Sequence, residues 1–194
     1  TDGLDIVGVP TSFSARERAI ECGIPLAGLD EIDGIDIAID GADQIVLDTG
    51  DCIKGGGAAH SREKLVAGAA DELHLVVDPT KTVETLDHAV AVEVLPDAHT
   101  VVSEKIESLG GAVTLRRAAN KDGPVVTDNG NLVCDADFGT IDDPESLATE
   151  LARLPGVVDH GLASQEVAGD GVVLALDVAV PVAALVARER EGPV

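Results

Sequence analysis

The chain comprises 194 residues, of which 36 are Asp or Glu and 13 are Lys or Arg, for a formal charge of -23 at pH 7. This excludes a nucleic-acid or anionic-membrane partner, because neutralising phosphates takes clustered Lys and Arg; with Phe13 and Phe138 as the only aromatic residues, a platform for stacking bases is excluded too. Apolar residues make up 45% of the sequence, enough to bury a core of Val, Leu, Ile and Ala in one large domain or two small ones.

Cys22, Cys52 and Cys134 are widely spaced, odd in number and without a C-x-x-C pair. That pattern points away from a disulfide framework or a zinc site and toward a reducing cytoplasm. No apolar run reaches the roughly 18 residues that span a bilayer.

In chain order, Leu4 to Val9 reads as a first strand. Thr11, Ser12 and Ser14 offer an N-cap for a helix through Cys22, which Gly23 ends. Ile24 to Leu29 reads as a short strand or connector, and Ile35 to Ile39 as a buried strand. A helix is expected from Ala58 to Leu73, followed by a strand from Leu73 to Val77 that closes on Asp78-Pro79-Thr80-Lys81. Alternating strands and helices imply a mostly parallel sheet with helices on its faces.

From about Ala89 the pattern changes. Val90 to Val94 is a strand, and a helix over 98–109 places Val102, Ile106 and Leu109 on one face before Gly110-Gly111 ends it. Ala112 to Arg116 is a strand; Val125 to Thr127 and Leu132 to Asp135 are strand pieces around the turn signal Asn129-Gly130. A helix starts at Asp143-Pro144 with Leu147, Leu151 and Leu154 as its stripe, and Val157 to Leu162 is a last strand. The βαββαβ order suggests a ferredoxin-like unit, in which Asp128 and Asn129 read as turn residues. The expected fold class is α/β: a Rossmann-like parallel-sheet domain over 1–88, a smaller ferredoxin-like α+β domain over 89–160, and a segment 161–194 returning to the first domain.

The stretch Asp36 to Lys64 carries the chemistry. A strand runs into Asp40-Gly41-Ala42-Asp43, and eleven residues later Lys54 is followed by Gly55, Gly56 and Gly57 and a helical pattern. Ligands of open α/β sheets bind beyond the carboxyl ends of strands, where this acidic loop lies. Paired carboxylates handle hydroxyl protons. A lysine beside unshielded backbone amides binds an anion or a developing oxyanion. Taken singly, the pieces are also consistent with a polar turn and a flexible connection.

Glu63 adds a candidate base. On a helix it shares a face with Ala59, Val66, Ala67 and Ala70, and no Lys or Arg lies three or four residues away. Partial burial moves a glutamate from roughly 4.3 toward 6–7, which suits a general base. His60 and Glu63 stand at metal-ligand spacing, but no second pair accompanies them, so no metal is expected.

The motifs IDGADQI, IKGGGAAHSREKLVA and VVDPTK closely resemble the type A ribose-5-phosphate isomerase family. GVPTSFSAR, VEVLP at 92–96 and GPVVTDNGNLVCD at 123–135 extend the resemblance over roughly residues 4–162. It implies interconversion of ribose 5-phosphate and ribulose 5-phosphate through an enediol, without metal or cofactor. It assigns Glu63 as base, Asp40 to Asp43 and Lys54 to Gly57 as substrate-binding loops, and Lys81 as a further substrate contact. It also implies a ferredoxin-like second domain and a homodimer or homotetramer. The family carries an upstream strand and a Gly-Thr-Gly-Ser phosphate loop before the region matching Leu4. Without them, this chain is expected to isomerise poorly through weakened phosphate affinity. Competing readings are a non-catalytic sugar-phosphate sensor, which would need no base in the apolar face, and a related CoA transferase, which would need basic residues for the CoA phosphates.

The charge itself yields a prediction. At low ionic strength the Debye length is about 30 Å, comparable to the whole chain, and near molar salt it is about 3 Å. Repulsions among the 36 carboxylates therefore sum in dilute buffer and are screened in brine. So acidic a chain is expected from a salt-adapted organism, and its thermal midpoint should climb steadily with KCl; a midpoint flat between low and molar salt would remove that reading.

Overall fold

A computed structural model describes residues 6–163 together with strand segments at 173–176 and 185–187. The chain divides into two compact units. The first takes the described residues through Gly41, Arg62–Pro79 and the two late strand segments; the second takes Ala42–Ser61 and Thr80 onward to the last described residue before them.

The first unit is built on β1 (Ile35–Asp40) and β4 (Ala70–Val77), which lie parallel with Ile35 beside Ala70 and Asp40 beside Leu75. β10 (Val173–Leu176) extends the sheet in parallel beyond β4, and β11 (Leu185–Ala187) closes the other edge antiparallel to β1, for an order β10-β4-β1-β11. Helix α1 (Phe13–Glu21) starts at Ser12, whose Oγ accepts the Ala15 amide at 3.0 Å, and buries Ala15 and Ala19. Of the three hydroxyls that could cap it, Ser12 is the one that does.

Two sequence expectations shift here. The strand at Leu4 to Val9 begins outside the described residues; within them the segment makes isolated bridges at Ile6 and Gly8, the latter parallel to Leu26. Helix α2 (His60–Ala69) begins two residues late and stops four residues short of Leu73, passing directly into β4. The residues Asp71 to Val77 alternate, with Leu73, Leu75 and Val77 buried, and pairing with β1 captures that period-two pattern before the helix can use it.

The second unit holds an antiparallel sheet in the order β6-β7-β5-β8, from β5 (Val90–Val94), β6 (Ala112–Leu115), β7 (Leu132–Asp137) and β8 (Val157–His160). With helices α3 (His99–Ser108) and α4 (Pro144–Ala152) between strands, this is the ferredoxin-like βαββαβ arrangement, with the first and third strands central. Every residue of β5 is buried. Val90, Val92 and Val94 pack with Val102 and Ile106 of α3, Leu151 of α4, and Cys134 and Ala136 of β7. Complete burial of each such aliphatic side chain contributes about 1.5–3 kcal/mol. α4 is capped by Asp143, which accepts the Ser146 amide at 3.0 Å. The expected strand piece at Val125 to Thr127 reduces to isolated bridges around a turn at Gly130, φ +84°.

The expected last strand, Val157 to Leu162, breaks at Gly161 and resumes as β9 (Leu162–Ala163) in a different sheet, beside β3 (Cys52–Ile53) and β2 (Gln44–Ile45). Gly161 donates to the Ala91 carbonyl and accepts from the Lys54 amide, both at 2.7 Å. A Cβ on Gly161 would lie 2.0 Å from the Lys54 carbonyl oxygen, a backbone atom that no rotamer can move. Gly161→Ala should therefore destabilise the chain by about 3 kcal/mol or more. Denaturant titration checks this; a loss under about 0.5 kcal/mol, the range of ordinary surface changes, would mean the crossing is looser than described.

Candidate active site

β1 ends at Asp40, which is buried and accepts the Gly41 amide on Oδ1 at 2.7 Å. Ala42 and Asp43 follow in the second unit. Asp43 uses its backbone amide to bind the Ile53 carbonyl at 2.7 Å, and its Oδ2 accepts the Gly56 amide at 2.8 Å. The acidic loop and the glycine loop are thus tied together. Lys54 is 9% exposed, with its backbone fixed on Gly161.

The three glycines differ in what they do. Gly55 sits at φ +98°, and a Cβ there would meet Ala91 Cβ at 2.7 Å and His60 Nδ1 at 2.9 Å. A Cβ on Gly56 would meet Asp43 Oδ1 at 2.6 Å, whereas Gly57 faces open space. Ala58 then takes φ +59°, a left-handed conformation that a residue with a Cβ adopts at a cost of about 1 kcal/mol or more. Its amide bonds the Gly55 carbonyl at 3.0 Å.

Glu63 stands in the first turn of α2 and is half-buried. Of the apolar stripe expected around it, Val66 is buried and Ala67 half-buried on the helix; Ala59 precedes the helix and Ala70 belongs to β4. Lys81 ends a single 3-10 turn, Pro79–Lys81, and is half-buried. Asp40, Gly41 and Glu63 belong to the first unit; Ala42, Asp43, Lys54 to Gly57 and Lys81 belong to the second. A cleft of about 480 Å³ in the first unit, lined by Val9, Thr11, Arg16, Leu26, Arg62 and Leu65 among others, includes none of them. Among its mostly apolar walls it carries Arg16, Arg62 and Glu31.

Sequence reasoning missed Glu93. This fully buried carboxylate on β5 accepts Thr127 Oγ1 at 2.7 Å, Asn131 Nδ2 at 2.8 Å and Asn129 Nδ2 at 3.1 Å, and takes a short bond from Ser61 Oγ at the start of α2. Burial pushes its pKa up, but Ser61, Asn131, Thr127 and Asn129 together outweigh burial and hold the carboxyl below its ordinary value. Asn129, expected to be a turn residue, is also a ligand of this carboxylate. The available signal was a glutamate inside the apolar run Val90 to Leu95.

A parallel sheet whose strand β1 ends in an acidic loop, together with a glycine-rich loop braced by Asp43 and Gly161, places the chain among α/β proteins. Residues 7–176 match the family profile of ribose 5-phosphate isomerase A (phosphoriboisomerase A), and the chain belongs to that family. It is 60% identical over 160 residues to ribose-5-phosphate isomerase A of Haloarcula marismortui, a match covering 82% of this chain and 69% of the relative. To the same enzyme of Halorubrum lacusprofundi it is 56% identical over 170 residues, covering 82% and 71%. Among solved structures, a D-ribose-5-phosphate isomerase in complex with phospho-erythronic acid superposes with a TM-score of 0.83 at 40% identity, covering 96% of this chain and 79% of that one. The ribose 5-phosphate isomerase A of Methanocaldococcus jannaschii gives 0.81 at 36% identity, covering 94% and 77%.

Glu93 makes stability depend on pH. A carboxyl whose folded pKa lies below its unfolded value contributes fully above the unfolded value, and loses that contribution as pH falls through the folded one. At neutral pH Glu93→Gln should cost about 1–3 kcal/mol, because buried donors lose their acceptor. The urea midpoints of parent and variant should converge as pH falls below 4.5, the ordinary value. A gap that stays constant into acid would show that the charge plays no part.

Proposed function

We infer that the chain interconverts D-ribose 5-phosphate and D-ribulose 5-phosphate by proton transfer through an enediol. Family membership, with a relative 60% identical, supports this reading, as does the likeness to an isomerase in complex with phospho-erythronic acid. The observation that carries the chemistry is the tie between Asp43 and the Gly56 amide, which sets a carboxylate and the lysine-glycine loop as one element.

In the open-chain aldose, Glu63 takes the proton from C2 while the C1 carbonyl oxygen gains one, giving the enediol. Glu63 then returns the proton to C1 as the O2 hydroxyl loses its own, leaving the ketone at C2. Atoms balance without a redox partner. Lys54 and the glycine amides oppose the charge that develops on the enediolate oxygen. Asp40 and Asp43 carry hydroxyl protons, and Lys81 meets the phosphate. The reading extends to a homodimer or homotetramer and to the cytoplasm, in keeping with three free cysteines. A sugar-phosphate sensor and a CoA transferase are not favoured, because the relatives named above are isomerases.

Glu63→Gln should lower turnover by about 10²–10⁴ while leaving KM nearly unchanged, as removal of a general base does. Ketose formation from ribose 5-phosphate measures it, and turnover within threefold of the parent would end the case for Glu63 as base.

A further inference from the structure

We propose that Arg116, held by Asp135, is a positioning residue for this isomerisation, fixing the glycine loop so that the Gly56 amide holds Asp43 and the Gly57 amide is left to face the reacting sugar. The inference rests on the isomerase reading above and deepens it.

Arg116 directly follows β6, its amide bonded to the Val133 carbonyl at 2.8 Å. Its Nε lies 3.0 Å from Asp135 Oδ2, and its Nη2 makes a short bond to Asp135 Oδ1. An ordinary ion pair would stop there. Instead Nη1 donates to the carbonyls of Gly55 at 2.8 Å and Gly56 at 3.1 Å, some sixty residues away in sequence. The side chain is only 18% exposed. The planar guanidinium is suited to this fork, since one face of donors binds the carboxylate while another reaches the loop; an ammonium is a single point.

The consequence follows from peptide geometry. In a trans peptide the C=O and N–H point in opposite directions, and there is no cis peptide bond among the described residues. Pinning the Gly55 carbonyl to Arg116 turns the Gly56 amide the other way, where it binds Asp43. Pinning the Gly56 carbonyl likewise turns the Gly57 amide away from Arg116. Gly57 is exposed, and its amide has no partner among the described residues. Glycines have wide conformational freedom, so this orientation needs an external hold, and Arg116 supplies it next to Lys54.

The test compares the parent with Arg116→Ala, Arg116→Lys and Asp135→Asn, using steady-state kinetics on ribose 5-phosphate, thermal midpoints, and hydrogen exchange at the Gly56 amide. Arg116→Ala should lower kcat by about 10- to 100-fold with KM within about threefold, the pattern of a misaimed group. Added guanidinium should restore part of that rate. Arg116→Lys should remain impaired, Asp135→Asn should fall between, and Gly56 exchange should quicken in Arg116→Ala. Parental kcat in Arg116→Ala, full activity in Arg116→Lys, or unaltered Gly56 exchange would overturn the proposal. So would a rate loss that guanidinium leaves unchanged and that follows the thermal midpoint. A parent that isomerises no ribose 5-phosphate would refute the isomerase reading instead, and the exchange at Gly56 would then decide the positioning role alone.

Discussion

A carboxylate closed off from water is costly unless donors surround it, and much of the second unit is arranged around meeting that demand for Glu93. Its four donors come from two places, the first turn of α2 and the turn from Thr127 to Asn131. One side chain on the central strand β5 thereby fixes where α2 begins, two residues before Glu63. The glycine loop between β3 and α2 is held from other directions, by Asp43 on an amide, Arg116 on two carbonyls and Gly161 on the Lys54 backbone. A segment with almost no side chains of its own takes its shape from side chains and backbone elsewhere.

What could be read from the sequence divides along the same line. The acidic loop after β1, the lysine with its glycines, and the βαββαβ order were legible because each is a local pattern with a fixed period or spacing. The end of α2 was not, since Asp71 to Val77 satisfies both a helix and a strand until β1 is placed beside it. The two-residue strands at Gln44–Ile45 and Cys52–Ile53 carry no periodicity at all. Glu93 was missed inside its apolar run, and its donors lie 32 to 38 residues away. In the sequence, Arg116 was only the last residue of an expected strand. Interactions at such separations are a property of the folded chain and leave no spacing to detect.

With so few cations, the carboxylates find other partners. Glu31 accepts the Gly28 amide at 2.7 Å, Asp137 that of Gly139 at 2.8 Å and Asp159 that of His160 at 2.8 Å. Asp40, Asp43 and Asp143 do the same. Charge-assisted bonds to backbone amides are stronger than neutral ones, and they let an acidic chain anchor its turns without a matching lysine. Buried Lys54 and half-buried Arg116 both stand at the glycine loop.

The crossing at Gly161 has a mechanical meaning. One continuous stretch serves as an edge of the four-stranded sheet up to His160 and as an edge of the small three-stranded sheet from Leu162. A strand that changes sheets at one residue acts as a corner post, so neither sheet can shear past the other without breaking the two bonds at Gly161. The Lys54 backbone hangs from that post. Its peptide is therefore anchored to the sheet's corner although it lies at the mouth of a glycine-rich loop.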